Sequence, residues 1–327
     1  MDVLCIGETL VDIITRPVSN TFFNNDSTNV QEILLKTGGD ALNNSVDLAV
    51  IGNSVTYVGR IGSDVCGNYI MDICTRAGVD MSHTIRSETP HGKMNILMDE
   101  EGNRAFYYFP GVSREFTSAD VDLSLLRQCK ILQLSSTFHL PNFDGANGAA
   151  SLLKMAQEIG VITSMDVTKD PTGRWNEILS PCYPYLDYFL PSEEQAMLLA
   201  GTEDVEAMAD FFLKGGVKCV VIKLGSRGCF CKTAQLSFYC GCYDVPVVET
   251  TGAGDAFVAG FLSGVLRNGS MEDCVRLGTA ASAHVIQCVG ANTGIRDLKT
   301  LLAFIGTHPL EIRYTGKRFF KVEVYSC

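Results

Sequence analysis

Short apolar runs alternate with glycine-terminated helical stretches along most of this chain, and that alternation restricts the fold more than any other feature. VLCIG, SVTYVG, ILQLS, VITSMDV, YFLP and CVVIKLG are brief and rich in β-branched or large apolar residues, as strands are. Between them Leu42–Ile51, Gly67–Ala77, Ala146–Ile159 and Glu193–Ala200 read as helices. Gly52, Gly78, Gly160 and Gly201 follow those stretches, where helix C-caps take glycine. Strands without internal polar alternation are buried on both faces. The expected fold is α/β: a doubly wound, mostly parallel sheet with helices on both faces.

One region departs from this pattern. Lys93–Met98 and Arg104–Phe109 flank the polar turn Asp99–Asn103, a hairpin signal. With Val11–Thr15 and Val30–Lys36 it predicts a small separate β-sheet lid. The expected organisation is an α/β catalytic body of 1–10, 38–90 and 112–306, a lid of 11–37 and 91–111, and an extension of 307–327. The alternating RFFKVEVYSC predicts a further strand in that extension, paired to an edge or to another copy.

Apolar residues form 46% of the chain and charged ones 19%, which suits an ordered globular protein. The net charge of -11 argues against nucleic acid or an anionic membrane as partner. Ala256–Leu266, the most apolar helical run, is too short to span a bilayer and contains Gly260 and Gly264. Thirteen cysteines without a basic leader point to reduced thiols in a cytoplasm. Cys229, Cys231, Cys240 and Cys242 could meet on a hairpin, either as zinc ligands or as small core residues; C-x-C spacing favours the core.

Chemistry concentrates at Glu249-Thr250-Thr251-Gly252-Ala253-Gly254-Asp255, immediately before the helix AFVAGFLSGVL. Unpaired N–H groups and the helix dipole make such an end an anion site, and Gly252 and Gly254 let a phosphate approach the main chain. Asp255 beside that hole could take a proton from an attacking hydroxyl. A bare G-x-G-D is more often a simple strand-to-helix turn, but here it is joined by a second paired-glycine run, Gly38-Gly39-Asp40-Ala41-Leu42-Asn43. Asp12 and Asn43 suit a polyhydroxylated ligand, although each alone reads equally as a turn former or cap.

Together GGDALNNS, Gly52, Gly62 and TTGAGDAFVAGFL resemble the two signatures of the ribokinase-like, PfkB-type carbohydrate kinases over roughly residues 1–305. The resemblance implies a doubly wound α/β domain with a β-sheet lid. It implies Asp255 as catalytic base and the backbone of Gly252, Ala253 and Gly254 as anion hole. Asp12, Gly38, Gly39, Asn43, Tyr107 and Lys169 would hold the sugar, and Lys223, Gly225, Ser226, Gly228 and Gly290 the nucleotide. ATP with Mg²⁺ is the implied donor, and a homodimer through the lid the implied assembly.

Several positions depart from the family pattern. Its Mg-organising Asn-x-x-Glu falls on Ser192-Glu193-Glu194-Gln195, leaving Glu193 or Glu194 as substitutes. Glu249 stands where many members carry Asp, and its extra methylene argues against K⁺ activation, whereas Val289-Gly290-Ala291 keeps the form of the cation loop. Leu10, Asp40 and Ser135 replace the Asn, Lys and Glu of ribokinases proper, so ribose is not expected. GETLVD, GGDALNNS and RAFYYF are closer to fructokinases and 2-keto-3-deoxygluconate kinases, although the Arg after the paired tyrosines is Pro110 here. Lys169, Arg174 or Arg104 are alternative cations for a sugar carboxylate. A nucleoside kinase of the same fold and a non-catalytic sugar- or nucleotide-binding regulator are the alternatives. A dinucleotide oxidoreductase is disfavoured, because no G-x-G-x-x-G follows the first strand.

Overall fold

The computed structural model describes residues 1–19, 24, 26–170 and 173–315. Its strands are β1 Val3–Ile6, β2 Leu10–Arg16, β3 Glu32–Gly38, β4 Val55–Val58, β5 Arg60–Gly62, β6 Ile85–Ser87, β7 Lys93–Met98 and β8 Arg104–Phe109. They continue with β9 Ile131–Thr137, β10 Ile162–Val167, β11 Tyr188–Phe189, β12 Cys219–Lys223, β13 Cys229–Thr233, β14 Ser237–Cys240 and β15 Ile312–Tyr314. The helices are α1 Asp40–Ile51, α2 Val65–Ala77, α3 Pro141–Gly145, α4 Gly148–Glu158, α5 Trp175–Leu179, α6 Glu193–Ala200, α7 Val205–Lys214, α8 Ala253–Val265, α9 Met271–Val285 and α10 Leu298–Thr307.

Nine strands form the main sheet in the order β15-β14-β13-β12-β11-β10-β9-β1-β4. From β12 to β4 all neighbours are parallel, and β13, β14 and β15 add an antiparallel edge. Alternate residues of one strand enter two separate cores. Val3 and Cys5 pack with α1, α8 and α9, while Leu4 and Ile6 pack with α4 and α7 on the other face. That two-sided burial is why these strands read as continuous apolar runs.

Helix α8 lies against α9 closely enough that a Cβ at Gly260 would stand 2.5 Å from the Leu277 carbonyl oxygen. The glycines in that apolar run therefore serve helix packing. Cys229 and Cys240 face each other across the antiparallel edge and are buried, as is Cys231. Cys242 lies outside this group, exposed, with its thiol against the Ser226 carbonyl. Among the described residues no helix is long and apolar enough to cross a membrane.

Strands β3-β2-β7-β8 form a separate four-stranded sheet. Its register defines two faces. Lys36, Asp12, Met94 and Tyr108 make one cross-strand row, and Leu35, Ile13, Asn95 and Tyr107 make the adjacent row on the opposite side. At the C-terminal end, β15 extends the edge of the main sheet beside β14. The strand expected in RFFKVEVYSC lies outside the described residues.

Candidate active site

Parallel sheets gather ligands outside the carboxyl ends of their strands, near the point where strand order reverses. Here that point lies between β1 and β9, and polar groups rise along the crest. Glu8 follows β1, His139 follows β9, Asp166 is the penultimate residue of β10 and Lys223 ends β12. The end of β9 and the turn beyond it carry positive φ at Ser136 and Phe138, 62° and 82°, unusual for residues with side chains.

Facing this crest is the N-terminus of α8. Gly252 caps the helix at φ 78°, and a Cβ there would stand 2.0 Å from the Ala291 carbonyl oxygen. Gly254 is different, since the nearest atom to its Cβ position is the Lys223 ammonium nitrogen at 3.2 Å. The Ala253 N–H donates to the Thr250 carbonyl at 3.2 Å, and the N–H groups of Gly252 and Gly254 belong to the same turn, next to Asp255, which is 8% exposed. Asn43 in α1 donates from Nδ2 to Asp255 Oδ2 at 2.7 Å. Burial pushes the Asp255 carboxyl up to about 7, reinforced by the Asp166 charge and opposed by the Asn43 hydrogen bond and Lys223.

On one side of Asp255, Lys223 pairs with the buried Asp166 at 2.7 Å and borders a cavity of about 490 Å³. Gly225, Ser226 and Gly228 line the same cavity, with Ala253 and Gly254 at its inner end. On the other side lie Asp12, Asp40 and Gly39. Burial, then Glu249 and Glu8, push the Asp12 carboxyl up to about 7. Gly38 leaves room for it: a Cβ there would come within 2.4 Å of both carboxylate oxygens. Asp40 is raised well above the ordinary range by burial and by Asp255.

Five expected site residues stand elsewhere. Tyr107 is 53% exposed on the outer face of the small sheet, and strand alternation turns its neighbour Tyr108 inward instead. The Tyr108 hydroxyl donates to Glu8 Oε1, and its ring stacks on His139 with centroids 4.7 Å apart. His139 Nδ1 lies 2.8 Å from Glu8 Oε2; burial would lower this imidazole, but the fully buried Glu8 carboxylate holds it raised. Lys169 is exposed and paired with Glu194 at 3.3 Å. Glu193 is tied to Arg227, and Ser192 with Gln195 forms a capping box that starts α6. The Asn-x-x-Glu position has thus become a helix cap. Gly290 lies off the cavity and donates its N–H to Glu249 Oε2 at 2.9 Å.

Among the described residues no three His, Cys, Asp or Glu side chains cluster to hold a metal. A magnesium ion fits here only as it is usually held by such enzymes, on nucleotide phosphates with few protein ligands. Glu249 accepts from Thr251 Oγ1 at 2.6 Å as well as from the Gly290 N–H, so both its oxygens are engaged.

A glycine turn at a helix N-terminus, a buried carboxyl beside it and a cavity bordered by Lys223 suit a phosphotransferase that acts on an alcohol. The comparisons carry the same class to a family. The pfkB family carbohydrate kinase model matches residues 1–298, and the chain belongs to that family. It is 31% identical over 248 residues to an uncharacterized sugar kinase of Archaeoglobus fulgidus, covering 76% of this chain and 97% of the relative. It is 28% identical to the 2-dehydro-3-deoxygluconokinase of Bacillus subtilis, covering 82% and 86%. The crystal structure of a ribokinase from Thermotoga maritima superposes with a TM-score of 0.80 at 26% identity, over 94% of this chain and 99% of that one.

Proposed function

We propose that this sugar kinase transfers the γ-phosphoryl group of ATP to a hydroxyl of a ketose or a keto-deoxy sugar acid, with Asp255 as the base. The observation that carries the reading is the Asn43–Asp255 contact at the mouth of α8, which places a buried carboxylate beside the anion hole. A base with a pKa near the working pH combines availability with driving force. Asp255 takes the proton of the acceptor hydroxyl. The oxygen forms its bond to the γ-phosphorus, and the bridging bond to the β-phosphate breaks, leaving its electrons on ADP. The N–H groups of Gly252, Ala253 and Gly254 meet the charge that spreads over the phosphoryl oxygens. Asp12, Gly39 and Asn43 hold the acceptor, while Lys223, Gly225, Ser226 and Gly228 receive the nucleotide. Bound magnesium neutralises phosphate charge.

The keto-sugar class is supported by Asp40 in place of a lysine and by the gluconokinase relative. The small sheet acts as a lid. Its outer face exposes Ile33 (66%), Leu35 (46%), Tyr107 and Phe109, an apolar row suited to a second copy of this chain. The test is ADP release with MgATP across ketoses, keto-deoxy sugar acids, pentoses and nucleosides. Preference for a ketose or keto-deoxy acid supports the reading. Preference for a nucleoside, or nucleotide binding without turnover on any acceptor, overturns it.

A further inference from the structure

The inward face of β8 carries Arg104, Phe106 and Tyr108 at alternate positions. Tyr108 meets Glu8 at one end of the cleft. At the other end Arg104 crosses from the small sheet to the main domain, donating from Nη1 to Thr251 Oγ1 at 3.0 Å and from Nη2 to Thr250 Oγ1 at 3.4 Å. These threonines lead directly into Gly252, whose turn opens the anion hole. Thr251 is itself steadied, because it donates to Glu249 Oε1, and Glu249 is held from behind by the Gly290 N–H. Lys223, the other cation at this hole, is committed to Asp166.

We propose that Arg104 is a catalytic residue, a lid-borne donor to the transferring phosphoryl group. The inference rests on the kinase reading above. An arginine fork matches two oxygens of a phosphoryl group in plane, and neutral hydroxyls are weaker partners than phosphoryl oxygens. In the closed enzyme the guanidinium exchanges the two threonine hydroxyls for nonbridging oxygens of the group in transit. Its charge there opposes the negative charge that accumulates as the bridging bond to ADP breaks, while the acceptor proton passes to Asp255. A sugar carboxylate, by contrast, would lie at the far end of the acceptor from the reacting hydroxyl, away from Thr250 and Thr251. The position of Arg104 therefore assigns it to the phosphoryl group and not to acceptor selection.

The decisive comparison is wild type against Arg104→Gln and Arg104→Lys, with two readouts. Steady-state rates are expected to show kcat falling about 100-fold or more in Arg104→Gln, the loss typical of one donor to transition-state charge. KM for acceptor and ATP is expected to stay within about threefold, and Arg104→Lys to recover part of the rate. Millimolar guanidinium should restore part of the Arg104→Gln rate, which a lost structural contact would not allow. Calorimetry should show weaker binding of ADP–aluminium fluoride to Arg104→Gln with ATP affinity unchanged. A kcat within threefold of wild type, or a raised acceptor KM with kcat intact, would overturn the assignment. If wild type phosphorylated no acceptor, the kinase reading would fall. With wild type active, equal analogue affinity in the two proteins would reject the role of Arg104 alone, and weaker affinity in Arg104→Gln would sustain it.

Discussion

Replacing Gly252 by alanine attacks the anion hole at the one atom that cannot be accommodated. The added Cβ would lie 2.0 Å from the Ala291 oxygen and 2.5 Å from its carbonyl carbon, both main-chain atoms. Relief to an ordinary contact needs a shift of roughly an ångström in the α8 turn or in the loop beyond Gly290. Holding φ at 78° costs a further ~1–2 kcal/mol for a residue with a Cβ. Together these predict an unfolding free energy lower by about 2–4 kcal/mol. Displacing the N–H donors by that distance predicts a kcat lower by about 100-fold. Gly254→Ala is the matched control. Its Cβ meets only the flexible end of Lys223 at 3.2 Å, so stability should stay within about 0.5 kcal/mol of wild type. Urea titrations followed by circular dichroism and coupled ADP assays on both variants measure these quantities. A Gly252→Ala enzyme with unchanged urea midpoint and kcat within threefold of wild type would refute the reasoning.

Activity should be present above pH 7 and fall as pH drops through the Asp255 pKa of about 7, since the base must be ionised. Asn43→Ala removes a bond that lowers that pKa, so the acid limb of the kcat/KM profile should move to higher pH. Tyr108→Phe should raise acceptor KM by leaving the buried Glu8 with His139 as its remaining partner, whereas Tyr107→Phe should leave steady-state constants unchanged. Lys223→Met strands the buried Asp166 and should cost about 3–5 kcal/mol in urea titrations at pH 8. Asp166 has its folded pKa raised by burial, so it takes a proton as pH falls, and that cost should shrink toward pH 5. Ile33→Glu with Phe109→Glu should halve the sedimenting mass if the lid face holds two copies together.

The parallel sheet was legible because two-sided burial leaves a signal in every strand, and Gly52, Gly78 and Gly201 close their helices in the left-handed region as their positions foretold. The hairpin of β7 and β8 was equally plain, since its turn is polar and its arms are apolar. The glycine turn that opens α8 was readable from local sequence alone, because Gly252 to Asp255 are adjacent in the chain. Groups that meet only through the fold were not. Tyr107 and Tyr108 are indistinguishable until the register decides which faces inward. Asp166 stood one residue from the end of an apolar strand in plain view, and an acid at the carboxyl end of a parallel strand was the signal that could have found it. Glu8 and His139 lie far apart in sequence and were not singled out there, whereas Arg104 was read only as one of three cations for a sugar carboxylate. The capping box at Ser192–Gln195 was visible as S-x-x-Q, yet the resemblance to the family's Asn-x-x-Glu pointed to metal binding there instead.

Transfer of the terminal phosphoryl group of labelled ATP to the preferred sugar by wild type and Asp255→Asn tests the central claim most directly. Asparagine keeps the shape and the contact with Asn43 but cannot take a proton. The account predicts sugar-dependent transfer by wild type and a loss of at least 1,000-fold in the variant, toward the upper range of general-base contributions of about 10²–10⁴. Transfer by Asp255→Asn within tenfold of wild type would contradict it.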